Sequence, residues 1–317
     1  MREPPRRFIF VAACPLLLIT MLGGTSELAN ADQDLVQHGH AKKTKRPIED
    51  ARQLFAAKQL PADLPSSSIG SYANGCIAGA RQLPPSGAHW QVMRLSRNRA
   101  WGHPSLIDYI ETLADRAYKN GWNGVLVGDM GMPRGGPATG HASHQLGLDA
   151  DIWLTPAPDH DLTSEERETM GARSVVNPET AQLDPTLWTQ QHADFVRDAA
   201  QDPNVARIFV APAIKQYLCK SKDRHGADTR WLRRLQPYWG HDNHIHVRLL
   251  CPRGDRFCHN QAPLDAGDGC GKEVSEWIRI VNRKRPHASN PSPPKTPSPV
   301  ELSSMPQQCR KVLEAAP

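Results

Sequence analysis

The chain has 317 residues, 39% hydrophobic and 22% charged, with a formal net charge of +5, enough to hold one large domain or two small ones around a sizeable core. Lys and Arg are interspersed with Asp and Glu rather than gathered in a stripe, which argues against a nucleic-acid partner. The small excess fits an anionic polymer and, equally, ordinary solubility charge.

In chain order, Arg2, Arg6 and Arg7 precede an apolar run from Phe8 to about Leu22, and Ala29-Asn30-Ala31 offers small residues for cleavage. Residues 1–31 therefore read as a signal peptide, which predicts export to the periplasm. The Arg6-Arg7 pair leaves the general and twin-arginine routes both open, and too little apolar chain precedes Cys14 for a lipoprotein signal. No later stretch is long enough to span a bilayer, so no stable membrane insertion is expected once the signal is gone. Cys14 leaves with it. Cys76, Cys219, Cys251, Cys258, Cys270 and Cys309 remain, an even count that points to disulfides in an exported chain. Spacing leaves their connectivity open, although Cys251 and Cys258 bracket a turn-rich loop and form the simplest local pair. No CxxC spacing supports a cysteine-rich zinc site.

Residues 32–66 are charged and then Ser- and Pro-containing, which predicts a poorly ordered, flexible lead. One domain is expected over 67–284. A Pro- and Ser-rich tail follows over 285–317, extended at first and pinned back by Cys309. Within the domain, Pro104 in a first-turn position, apolar Leu106, Ile107, Ile110, Leu113 and Ala114, and a terminal Gly121 predict an amphipathic helix. A second helix is expected from about Pro185 to Gln201, with shorter ones over 213–219 and 228–235. Strands are expected over 125–127, 148–154, 206–210 and 244–250. The pattern predicts an α+β fold, with flanking helices around a small, mainly antiparallel central sheet.

Two segments concentrate chemistry. The first follows a glycine-rich stretch, GDMGMPRGGPATGH, and carries His141, His144, Asp149 and Asp151; on a strand the two aspartates share a face. The second carries His241, His244 and His246, and on a strand His244, His246 and Arg248 share a face opposite Ile245 and Val247. A lone histidine is more often structural, but five histidines and two aspartates in two short windows suit a catalytic zinc, which takes three protein ligands and leaves a position for water. Asp149 is placed to orient a ligand histidine. Arg248 is a candidate to hold a substrate carboxylate or steady an oxyanion, against the plainer reading of a surface arginine on an edge strand. The glycines read as a cleft wall, since no GKS, GxGxxG, HExxH or GxSxG pattern accompanies them.

From SIGSYANGC through WGHPSLIDYI, GDMGMPRGG, GHASHQLGLDADIW, RIFVAPAIKQYLC and HDNHIHVRLLCP to GDGCG, the chain resembles the penicillin-insensitive murein endopeptidases. These belong to the lysostaphin, D-Ala-D-Ala peptidase and hedgehog-like metal-site group. His144, Gly147, Asp151, His244 and His246 fit the group pattern. The resemblance implies His144, Asp151 and His246 as zinc ligands, His244 and His241 as catalytic groups beside the metal, and His141 at a second metal position or supporting the first. Glu179 and Gln182 stand where the family pattern has Asp and His, so one Zn2+ is expected rather than two. The pairing expected with it is Cys76–Cys309, Cys219–Cys270 and Cys251–Cys258. The implied activity is hydrolysis of D-alanyl-meso-diaminopimelyl cross-links in peptidoglycan by metal-activated water. The alternatives are a D,D-carboxypeptidase or amidase on cell-wall peptides, and a non-catalytic zinc- or peptidoglycan-binding protein.

Overall fold

A computed structural model describes residues 49–221, 228–283 and 298–317. The expected signal peptide, the first part of the lead and the Pro-rich stretch 284–297 lie outside the described residues. Among the described residues no helix is long and apolar enough to cross a membrane.

A hairpin of β1 (Ser67–Ser71) and β2 (Asn74–Ala78) and a small pair of β3 (Arg81–Gln82) with β5 (Trp101–Gly102) flank a six-stranded sheet. That sheet contains β4 (Trp90–Val92), β6 (Val125–Val127), β7 (Asp149–Trp153), β8 (Val205–Val210), β9 (Leu235–Pro237) and β10 (His244–Leu249). Its spatial order is β4-β6-β7-β10-β8-β9, antiparallel at the centre and parallel only at the two outer pairs. The fold is thus α+β with a mainly antiparallel sheet.

Strand alternation divides the two faces. Ala150, Ile152, Ile245 and Val247 point into the main apolar cluster, all fully buried, together with the inner faces of α2 (Pro104–Lys119) and α4 (Gln190–Gln201). Asp149, Asp151, His244, His246 and Arg248 occupy the other face. The register pairs His246 with Asp151 and Arg248 with Asp149 across β10 and β7, so the two chemical segments of the sequence meet at the middle of the sheet.

Helix α2 starts at Pro104, where the His103 ring accepts from the Ser105 N–H at 3.1 Å. Helix α4 starts five residues after the predicted Pro185, because Leu187 and Trp188 turn back to the Asp184 carbonyl and the Thr189 N–H donates to His192 Nδ1 at 3.2 Å. The predicted helix over 228–235 is a 3-10 turn, Arg230–Arg234. Between α4 and the last sheet strands lies α5 (Pro212–Lys220); α3 (Ser164–Thr169) and α6 (Lys272–Arg283) were not anticipated.

The chain ends also depart from expectation. From Ala51 the lead forms α1 (Ala51–Ala56), whose Ala51 and Phe55 are fully buried with Ile69, Cys76, Met132 and, from α7 (Gln307–Glu314), Cys309, Val312 and Leu313. Gly136 permits this approach, since a Cβ there would lie 2.4 Å from the Phe55 ring. Arg134 closes the C-terminus of α7 by donating to the carbonyls of Val312 and Ala315, each at 2.7 Å. Apolar residues at both ends, outside the 67–284 limits, therefore join Ile69, Cys76 and Met132 within them in a second core. Disulfides join Cys76 to Cys309, Cys219 to Cys270, and Cys251 to Cys258.

Candidate metal centre

Four imidazoles surround one carboxylate. Asp151 Oδ1 lies 3.4 Å from His144 Nε2, 3.3 Å from His246 Nδ1 and 3.7 Å from His244 Nε2, while its Oδ2 lies 3.9 Å from His141 Nδ1. What these nitrogens can do follows from their other ring atoms. His144 Nδ1 donates to the Met130 carbonyl at 3.0 Å, so a neutral His144 presents the Nε2 lone pair to Asp151. His246 Nε2 donates to Asp149 Oδ1 at 3.0 Å, which leaves the Nδ1 lone pair facing the same Asp151 oxygen. Two lone pairs and a carboxylate oxygen converge with no proton to share. Accordingly, His144 Nε2 and Asp151 Oδ1 are buried without a hydrogen-bond partner among the described residues. Buried acceptors that face one another repel unless a cation sits between them. His144, Asp151 and His246 thus suit a divalent metal of the type that takes imidazole and carboxylate ligands.

A different triad also shares His144 and Asp151. The donor atoms of His141, His144 and Asp151 all lie within 4.8 Å of one another. His141, however, commits Nε2 to Asp129 at 2.8 Å, and its Nδ1 faces the outer oxygen of Asp151. Measured to Asp151, the donors of His144 and His246 are nearer, at 3.4 and 3.3 Å, than that of His141 at 3.9 Å. Glu179 and Gln182 are exposed and line neither cavity beside the cluster.

The supporting residues are themselves anchored. Asp149, fully buried, accepts from His246 Nε2, from Arg248 Nε at 2.7 Å and from the His144 N–H at 3.1 Å. Burial pushes the Asp149 carboxyl up, but Arg248 and then His246 outweigh it and hold it well below the usual carboxylate range. Burial acts likewise on Asp151, where His144 leads the opposing charges and the net direction is again strongly down. His144 is shifted up, since Asp151 outweighs the opposing burial, whereas burial draws His241, His244 and His246 down. The His144 backbone is left-handed at φ 67, a conformation a non-glycine residue adopts only when its surroundings dictate it. Gly147 at φ 69 completes the turn into β7; a Cβ there would come within 2.5 Å of Ile77.

Arg248 is not a surface residue on an edge strand. It is 5% exposed on a central strand, with Nε on Asp149, Nη1 on Gln261 Oε1 at 2.8 Å, and its plane between the Tyr72 and Phe209 rings at 4.3 and 5.2 Å. Asp149 matches its charge inside the protein, and the side chain also borders the larger cavity beside the cluster. His241 and His244 stand at the mouth. Their Nδ1 atoms donate to the Trp239 carbonyl and to Asn243 Oδ1, each at 2.6 Å, so both present Nε2 lone pairs when neutral. Sequence reasoning missed Asp129, Met130 and Phe209. Asp129 was discoverable as the one carboxylate in the glycine-rich stretch that precedes His141, whereas a backbone carbonyl and an aromatic neighbour leave no local signal.

The cluster lies between two cavities. One of about 530 Å³ includes Phe209, Tyr238, His241 and His246 among its walls; another of about 310 Å³ includes Arg94, Arg97, Asp129 and Trp153; Asp151, His141 and His244 border both.

Comparison with known proteins identifies relatives. The family model for penicillin-insensitive murein endopeptidase matches residues 68–314. A protein of that name from Haemophilus influenzae is 47% identical over 240 residues, 75% of this chain and 78% of its own. Namesakes from Klebsiella pneumoniae and Escherichia coli are each 42% identical over 250 residues, 78% of this chain and 86% of theirs.

Proposed function

The chain belongs to the penicillin-insensitive murein endopeptidase family and is a peptidase, and on that premise we propose a zinc-dependent endopeptidase of the periplasm that hydrolyses D-alanyl-meso-diaminopimelyl cross-links. The observation that carries the metal is the convergence of His144 Nε2, His246 Nδ1 and Asp151 Oδ1. Those three residues hold the zinc, and His141 supports them through Asp129. Bound there, zinc supplies Lewis acidity, polarising a scissile carbonyl and bringing the ionisation of water to about neutral pH.

The remaining chemistry falls to the chain. Asp149 and the Met130 carbonyl fix the tautomers of His246 and His144. Arg248 keeps Asp149 ionised and in place. His241 and His244, their Nδ1 protons engaged, use Nε2 to take a proton from the attacking water and return it to the departing amine. No serine or cysteine nucleophile takes part, so turnover continues in the presence of β-lactams, which act by acylating a serine. Space on both sides of Asp151 supports internal cleavage over release of a terminal residue.

The test is digestion of purified cross-linked muropeptide dimers, with metal content measured on the same sample. Monomers without free D-alanine are expected, with about one zinc per chain, and His144→Ala and Asp151→Ala should lose both metal and turnover. Free D-alanine would mark a carboxypeptidase, and bound zinc without cleavage a binding protein.

A further inference from the structure

The two cavities beside Asp151 differ in their charged residues: Arg94, Arg97 and Asp129 line the smaller, Arg248 the larger. The smaller carries Arg97, whose Nη1 donates to Asp129 at 3.1 and 3.2 Å. Asp129 is shared, because Arg99 Nη1 and His141 Nε2 also reach it at 2.8 Å each. One carboxylate therefore faces two guanidinium groups and an imidazole. Arg97 Nε and Nη2 make no hydrogen bond among the described residues, and the side chain is 48% exposed. Arg94, also in the wall, donates only to the neutral carbonyls of Arg167 and Met170, both at 2.7 Å. Glu168, a further anion nearby, is bonded to the Ser96 N–H at 2.9 Å and hydroxyl at 2.8 Å, and lines neither cavity. Asp151 borders the cavity too, so arginines and carboxylates in its wall are equal in number; what Arg97 has to spare is donor capacity at Nε and Nη2. The backbone is also unusual, since the turn presenting Arg97 lies between Arg94 at φ 57 and Asn98 at φ 50. Such left-handed non-glycine residues gather at binding sites.

We infer that this cavity seats a substrate carboxylate on the leaving-amine side of the scissile bond, with Arg97 as its ion partner. The inference rests on the cross-link hydrolysis proposed above. In that amide the released nitrogen is attached to a carbon that also bears a carboxylate, and Asp151 and His244 border the same cavity as Arg97. A guanidinium fork with free donors matches a carboxylate in charge and shape. The D-alanyl side then lies toward Phe209 and Tyr238.

The zinc-loaded protein is given two muropeptide dimers that differ only at that carboxylate, free in one and amidated in the other. The wild type should favour the free acid in kcat/KM by about tenfold to a hundredfold. Arg97→Gln should bring the ratio close to one, chiefly through KM, and Arg97→Lys should keep part of it. Arg81→Gln, which alters an exposed guanidinium paired with Asp108, should keep the wild-type ratio. Equal use of both dimers by the wild type overturns the inference. So does an Arg97→Gln protein that slows on both alike, the mark of a merely structural residue. Cleavage of neither dimer by the wild type overturns the hydrolytic reading beneath it as well.

Discussion

Three groups converge on Asp149: the His246 Nε2 proton, the Arg248 guanidinium and the His144 backbone N–H. Replacing it with Asn keeps the shape but removes the charge that balances Arg248, and offers His246 an amide in place of a carboxylate. Asp149→Asn should therefore weaken metal binding by about tenfold to a hundredfold, read by chelator competition, while the far-ultraviolet circular dichroism stays unchanged. An unaltered affinity would mean that Asp149 serves only to neutralise Arg248. The meeting of the two histidine segments was legible because His144, Gly147 and Asp151 follow each other at fixed spacing and His244 and His246 alternate on a strand. Arg97 was not, since its setting is made by residues distant in sequence, whereas Asp129 had a local signal as the one carboxylate of its glycine-rich stretch.

The same contrast holds for whole elements. Strands β6, β7, β8 and β10 are short apolar or alternating runs with clear punctuation, and they lie within a residue or so of where composition predicts them. Strands β4 and β9, of three residues each, carry too few side chains to show a period. Helices α1 and α7 were obscured by their setting among charged, Ser- and Pro-rich residues; each contributes only two or three buried side chains, and those have meaning only against each other. Phe55 is the largest of them. Phe55→Ala should lower unfolding free energy by about 3–5 kcal/mol, measured as a fall in the denaturant midpoint. A shift under about 1 kcal/mol would show that α1 is an ornament on the domain rather than part of its core.

A pH response of stability is expected from a side chain outside the histidine–aspartate cluster. Lys215 on α5 is fully buried, donating to the carbonyls of Leu232 and Asp268. Burial draws it down from 10.5 to about 8, against the opposing pull of Asp268 and Glu273. Between those values the unfolded chain holds a proton that the folded chain lacks, so stability rises as pH climbs from about 8 toward 10.5. Below 8 both states are protonated and the slope from this group vanishes. Urea titrations across the window should show the rise in the wild type and its loss in Lys215→Met; parallel profiles would assign the slope to other groups.

The bond between Cys76 and Cys309 has a separation of 233 residues and encloses every residue of the histidine–aspartate cluster and, Ala73 apart, the residues lining the two cavities beside it. The working part of the molecule is thus a covalent ring rather than a strand with two ends. A single protease cut at an exposed loop such as 177–182 opens the ring without releasing a fragment. On a denaturing gel the nicked protein should run as one piece until a thiol is added, and only then as two.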